Sequence, residues 1–165
     1  MNGQATYVMW LRDVKRFVRA RSRLLGNVVQ PFFFLAILGF GFSSAVMPGI
    51  PTGFRFLDFL TPGIVAMSVL FSSIFAGVSV LWDKQFGFLQ EVLVAPVSRL
   101  SIVLGRTLGG ATTALVQGFI ILGIALGLGV KVTFQGLLLG VILMVLIAFT
   151  AVGFGLIVAS QMEDF

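Results

Sequence analysis

"FLTPGIVAMSVLFSSIFAGVSVLW", residues 59–82, runs for 24 residues without one charged side chain. A helix needs roughly 20 predominantly apolar residues to cross about 30 Å of hydrocarbon. In lipid, only a helix or a closed barrel satisfies its own backbone, and this run lacks the two-residue alternation of a barrel strand. The stretch therefore reads as a transmembrane helix, and it sets the reading of the rest of the chain.

Three more uncharged intervals of sufficient length exist, at 24–54, 107–130 and 132–162. The expected spans are 27–47, 60–82, 107–129 and 137–159. The fold class is an all-α membrane protein with four transmembrane helices. Composition agrees: 58% of the 165 residues are hydrophobic and 10% charged, and the mean hydropathy is +1.10. A soluble domain carries about 25% charged residues. The eighteen phenylalanines are expected on the lipid face and in helix packing.

Residues 1–26 differ from the rest of the chain. Tyr7, Trp10, Leu11, Val14, Phe17 and Val18 recur at helical spacing, and Arg12, Lys15, Arg16, Arg19 and Arg23 keep the same period on an adjacent face. The pattern fits a basic amphipathic helix in the membrane interface, anchored by Trp10, Arg12, Lys15, Arg16 and Arg19 on anionic headgroups. The apolar run behind it exceeds the roughly 7–15 residues of a signal-peptide core, so cleavage after "FSSAVM" is not expected.

Nine of the eleven Lys and Arg residues lie before the first span or in and beside the 83–106 connection; only Arg55 and Lys131 lie in the other two. This bias places the N-terminus and the 83–106 loop in the cytoplasm. The net charge of +5 then reflects topology. No base-stacking or groove-reading pattern accompanies it, so no nucleic-acid partner is expected. On the other side, Asp58 is placed to pair with Arg55. Small residues recur every four positions in the third span: Gly105 and Gly109; Gly110, Ala114 and Gly118; Gly123 and Gly127. Such spacing lets helices approach closely.

Catalytic chemistry is missing from the pattern. There is no cysteine or histidine, no P-loop, no Ser-His-Asp set and no metal-ligand cluster, so neither a catalytic nor a metal site is expected. The spans carry no carboxylate of the kind used by ion-coupled transporters. Their polar residues are Gln30, Gln117, Ser68, Ser72, Ser73, Thr112 and Thr113. Gln117 serves either cargo contact or, more in keeping with its setting, helix packing. Energy for transport against a gradient then enters from another protein.

The 83–106 connection is longer than a plain turn requires. Phe86, Phe88, Leu89, Val92 and Leu93 suit a short amphipathic helix that Pro96 ends. Ser98 is placed to cap the next helix. An aromatic-bearing helix of this kind fits either headgroups or a groove on another protein.

The order "YVMWLRDVKRFVRARSR", "LDFLTPGI" and "APVSR…LG" resembles the ABC-2 type transporter permeases, most nearly the daunorubicin-resistance type of bacterial and archaeal exporters. That resemblance implies an interfacial helix followed by a six-helix domain, partly present here as residues 27–165, in the prokaryotic plasma membrane. It implies a second permease copy and a cytoplasmic ABC ATPase as partners, with ATP and magnesium held by the ATPase and no cofactor on this chain. It also implies that the ATPase engages the loop after the second span, matched here by Phe86, Gly87, Phe88, Glu91, Val94, Ala95, Pro96 and Arg99. Some relatives read Glu-Ala-Ala where this chain has Glu91-Val92-Leu93. The function implied is that of an export permease; an ATP-independent channel or scaffold is the alternative. The four spans and the ending "QMEDF" lead to the expectation that two more helices complete the domain.

Overall fold

A computed structural model describes residues 3–42, 55–85 and 98–161. Among them are five helices: α1 (Gly3–Arg19), α2 (Arg21–Gly41), α3 (Phe56–Gln85), α4 (Arg99–Gly127) and α5 (Phe134–Gln161). Three of these contain segments long and apolar enough to cross a membrane: Phe56–Ser79, Arg99–Gly127 and Phe134–Gln161. The apolar part of α2, Leu25–Gly41, is shorter, and the end of the expected 27–47 span lies outside the described residues.

Observed helices overrun the second, third and fourth expected spans at every end but one, the third stopping two residues short. The second runs 56–85 instead of 60–82, the third 99–127 instead of 107–129, and the fourth 134–161 instead of 137–159. Charge ends an apolar run but not a helix, because Arg and Lys are good helix formers and Asp costs little. The connection expected at 83–106 is correspondingly narrower, since Asp83 belongs to α3 and Arg106 to α4. Likewise the break between the first two helices falls at Ala20 (φ −83°, ψ 60°), inside the 1–26 segment.

Local chemistry explains the helix ends. Ser98 caps α4, its Oγ accepting from the Ser101 N–H at 3.4 Å. At the start of α3 the Asp58 carboxylate reaches back to the Arg55 N–H at 3.0 Å, half of a capping box. The same carboxylate accepts from the Lys131 N–H at 3.0 Å and faces the Arg55 guanidinium at 3.6 Å. The Arg55 guanidinium also donates to the Gly129 carbonyl. Asp58 thus joins the expected local pair to the α4–α5 turn. That turn is a Schellman cap: Gly129 has φ +81°, its N–H meets the Leu126 carbonyl, and the Val130 N–H meets the Ala125 carbonyl.

Helix α4 lies at the centre, with α1, α3 and α5 against it. Leu57, Val65 and Val69 of α3 meet Ala111, Ala114, Ile121 and Ala125 of α4 and Met144 and Ala148 of α5. The small residues decide how near the helices come. A Cβ on Gly77 would lie 2.8 Å from the Gly155 Cα, so α3 and α5 cross in backbone contact. Gly110 and Gly118 seat α3 and α5, with Ala76, Val152, Val69 and Met144 against them. Gly123 and Gly127 face open space. The outward side chains, among them Phe32, Phe33, Phe75, Leu139, Leu146 and Phe154, are large and exposed. In water that surface would be a liability; in hydrocarbon it is the expected lipid face.

Candidate coupling site at the facing ends of α3 and α4

Helix α1 is seated on the first turns of α4. A Cβ on Gly105 would meet the Met9 Cβ at 2.7 Å and the Thr6 carbonyl oxygen at 2.8 Å, and one on Gly109 would meet the Asp13 Cβ at 2.8 Å. Met9 is buried beneath this contact. The Thr6 hydroxyl donates to the Ser101 carbonyl at 3.2 Å, and the Trp10 indole N–H donates to the Thr112 hydroxyl at 3.1 Å.

Around this seat five charges converge. Asp83, at the last turn of α3, is only 6% exposed. It accepts from Arg12 Nη2 at 3.1 Å and Arg16 Nη1 at 3.2 Å and pairs with the Arg106 guanidinium. Arg106 is 5% exposed and also lies 3.6 Å from the Asp13 carboxylate. Three cations and two anions therefore tie α1, α3 and α4 together. Buried charges are tolerated when paired in this way.

The two carboxyls respond oppositely. Burial works against the charge on Asp83, but the Arg106 hydrogen bond and charge, reinforced by Arg12, outweigh it and hold the carboxyl below the usual range. For Asp13 burial dominates over Arg106 and Arg12, so its carboxyl is pushed up. A direct hydrogen bond separates them: Asp83 has three donors, whereas Asp13 has a looser ion pair.

Of the residues singled out in the sequence, Phe86, Gly87, Phe88, Glu91, Val94, Ala95 and Pro96 lie outside the described residues. Arg99 is exposed at the start of α4, and Lys15 and Arg19 are exposed on α1. Arg12 and Arg16 direct donors to Asp83 as well as bordering the surface, with 26% and 47% of their side chains exposed. Gln117 is buried and bridges α4 to α2, donating to the Asn27 carbonyl at 3.2 Å and accepting from the Asn27 amide at 3.5 Å. Ser68, Ser73 and Thr113 turn their hydroxyls onto carbonyls of their own helices. Among the described residues no cluster is able to hold a metal.

Sequence reasoning missed Asp13, Asp83 and Arg106 as a unit. One signal was present: Asp13 is the sole acid before Asp58 in a strongly basic segment.

Compared with known proteins, residues 4–165 match the ABC-2 type transporter family. The chain belongs to that family. Among its relatives, the putative transport permease ycf38 of Cyanophora paradoxa is 29% identical over 123 residues, 72% of this chain and 42% of that protein. The inner membrane transport permease YadH of Escherichia coli K12 is 29% identical over 120 residues, 72% of this chain and 46% of YadH. A probable doxorubicin resistance ABC transporter permease protein, DrrC of Mycobacterium tuberculosis, is 27% identical over 127 residues, 77% of this chain and 45% of DrrC. The chain thus spans less than half the length of these curated relatives. No solved structure matches it significantly. As an ABC-2 type family member with three long apolar helices, it is a membrane domain of the permease kind.

Proposed function

We propose that this chain is part of the membrane-spanning permease subunit of an ATP-binding cassette exporter in a prokaryotic plasma membrane. Helices α2 to α5 cross the bilayer, α1 lies at the cytoplasmic interface, and the N-terminus is cytoplasmic. ATP and magnesium are bound by a separate ATPase, and a second permease copy completes the path for the cargo. The observation that carries this reading is the family match over residues 4–165. The relatives named as transport and resistance permeases support it.

The mechanism is built on the helix ends. Residues 86–97 connect α3 to α4, and both flanking helix ends are held to α1, Asp83 by Arg12 and Arg106 by Asp13. An ATPase bound to that connection biases the bundle only if its nucleotide states bind the two arrangements with different affinity. Rigid helices joined by buried ion pairs then carry the displacement into the spans.

The chain has no native cysteine, which permits a single-cysteine test. Cysteines at Phe86, Phe88 and Val94 are expected to cross-link to the ATPase, and one at Lys131 to be labelled only from outside the cell. Phe88→Ala should uncouple ATP hydrolysis from export more than Gln90→Ala, because loss of a buried interface aromatic commonly costs over ~1–2 kcal/mol. Loop cysteines that react with lipid-phase reagents and never with the ATPase would favour a channel or scaffold.

A further inference from the structure

A cavity of about 440 Å³ opens between α1, α2, α3 and α4 beside the ion cluster. Its walls include Asp13, Arg16 and Phe17 of α1, Asn27 of α2, and Ser72 and Phe75 of α3. The size falls in the range of small-molecule sites. What distinguishes it is the chemistry of the lining: one carboxylate, one guanidinium and two phenyl rings in one space.

We infer that this cavity holds the headgroup of one bilayer phospholipid of the phosphoethanolamine class, with the ammonium on Asp13 and the phosphate on Arg16. The inference rests on the membrane reading above. Asp13 and Arg16 are one helical turn apart, ~5–6 Å between Cβ atoms, and the ammonium and phosphate of that headgroup are separated by a two-carbon link. The Asp13 carboxylate has no hydrogen-bond donor among the described residues; its ion pair with Arg106 is 3.6 Å long. A primary ammonium supplies the missing donors. The Arg16 side chain is 47% exposed, and with Nη1 on Asp83 its fork retains donors for phosphate oxygens. Phe17 and Phe75 line the same space for the apolar part. Arg16 of the cavity wall reaches Asp83, the first charge after the uncharged run that ends at Trp82, the level at which headgroups lie. A quaternary ammonium cannot donate to Asp13, and a purely anionic headgroup meets that carboxylate with like charge.

The test is lipid retention by the full-length permease purified with its partner, taken from bilayers of equal phosphatidylethanolamine, phosphatidylcholine and phosphatidylglycerol and read by native mass spectrometry. No ATP or cargo is needed, so the result stands apart from whether export is the function. Phosphatidylethanolamine should be retained preferentially. Asp13→Asn should lower its retention on the order of tenfold, as loss of one charge-assisted contact does, without raising that of phosphatidylcholine. Ser72→Phe fills the cavity from α3 while leaving every charged residue of the ion cluster in place, and should abolish retention in a monodisperse protein. Equal retention of phosphatidylcholine or phosphatidylglycerol by the unaltered protein overturns the proposal, as does retention unchanged by Ser72→Phe.

Discussion

Replacing Asp83 by Asn removes the charge that three arginines share while keeping the side-chain volume. Arg106 suffers most, because at 5% exposure its one remaining anionic partner among the described residues is Asp13, 3.6 Å away. Breaking a buried ion pair from one side costs ~3–5 kcal/mol, and the lower end applies here because Asp13 remains. Arg12 and Arg16 are 26% and 47% exposed; they turn to water and add less than ~1 kcal/mol each. A loss of about 3 kcal/mol corresponds to a fall of roughly 6–12 °C in the unfolding midpoint for a chain of this size. Arg106→Met should cost less, since Asp83 keeps Arg12 and Arg16 and the buried Arg106 Nε has no hydrogen-bond partner among the described residues. The double variant should recover much of the loss, because the buried guanidinium is gone together with Asp83 and only Asp13, 15% exposed at its side chain, loses a pair. Thermal unfolding in detergent, taken through the whole cycle, should give a coupling energy of ~2 kcal/mol, within the range for residues in direct contact. Additive single effects would refute the claim that Asp83 and Arg106 hold the helix ends as a pair.

The pH dependence separates the two acids. Because the Asp83 carboxyl is held low, its contribution is present above the ordinary value of ~4 and is lost only as pH falls through the lowered one. The Asp13 carboxyl is raised, so its contribution is full below ~4 and is lost as pH rises through the raised value. Asp13→Asn should therefore match or exceed the unaltered protein in stability at pH 7, with the difference shrinking on acidification; an unfolding series from pH 7 to 4 in which the variant is destabilised throughout contradicts this. In the bundle, Gly77→Ala should cost ~1–3 kcal/mol, because its Cβ would stand 2.8 Å from the Gly155 Cα. Gly63→Ala on the same helix meets nothing within 4 Å and should be neutral or slightly stabilising; equal losses at the two positions would place the α3–α5 crossing elsewhere.

Apolar runs made the membrane helices legible, because lipid allows few alternatives once charge is absent for 20 residues. The Ser98 cap and the Arg55–Asp58 pair were legible for another reason: both are local, fixed by a spacing of three residues. Asp83 and Arg106 were not, because their partners lie 71 and 93 positions away on α1, and no one-dimensional period reports such a distance. The cation face of α1 read as a membrane anchor since Arg12 and Arg16 carry the same signal toward a headgroup as toward a buried carboxylate. The glycine pattern of α4 was visible, but not which helix each glycine receives.

That division of glycines has a mechanical consequence. Gly105 and Gly109 take α1, whereas Gly110 and Gly118 take α3 and α5, so α4 presents its small residues to two sets of neighbours. The contact with α1 is reinforced by hydrogen bonds from Thr6 and Trp10 and by the ion cluster. Packed interfaces resist continuous deformation and shift as units. The end of α3, the start of α4 and α1 therefore form one body. Before α4 slides along α5, it must carry α1 with it or break the Arg106 pairs. Helix α1 is then packed as part of the bundle, with Lys15 and Arg19 left exposed.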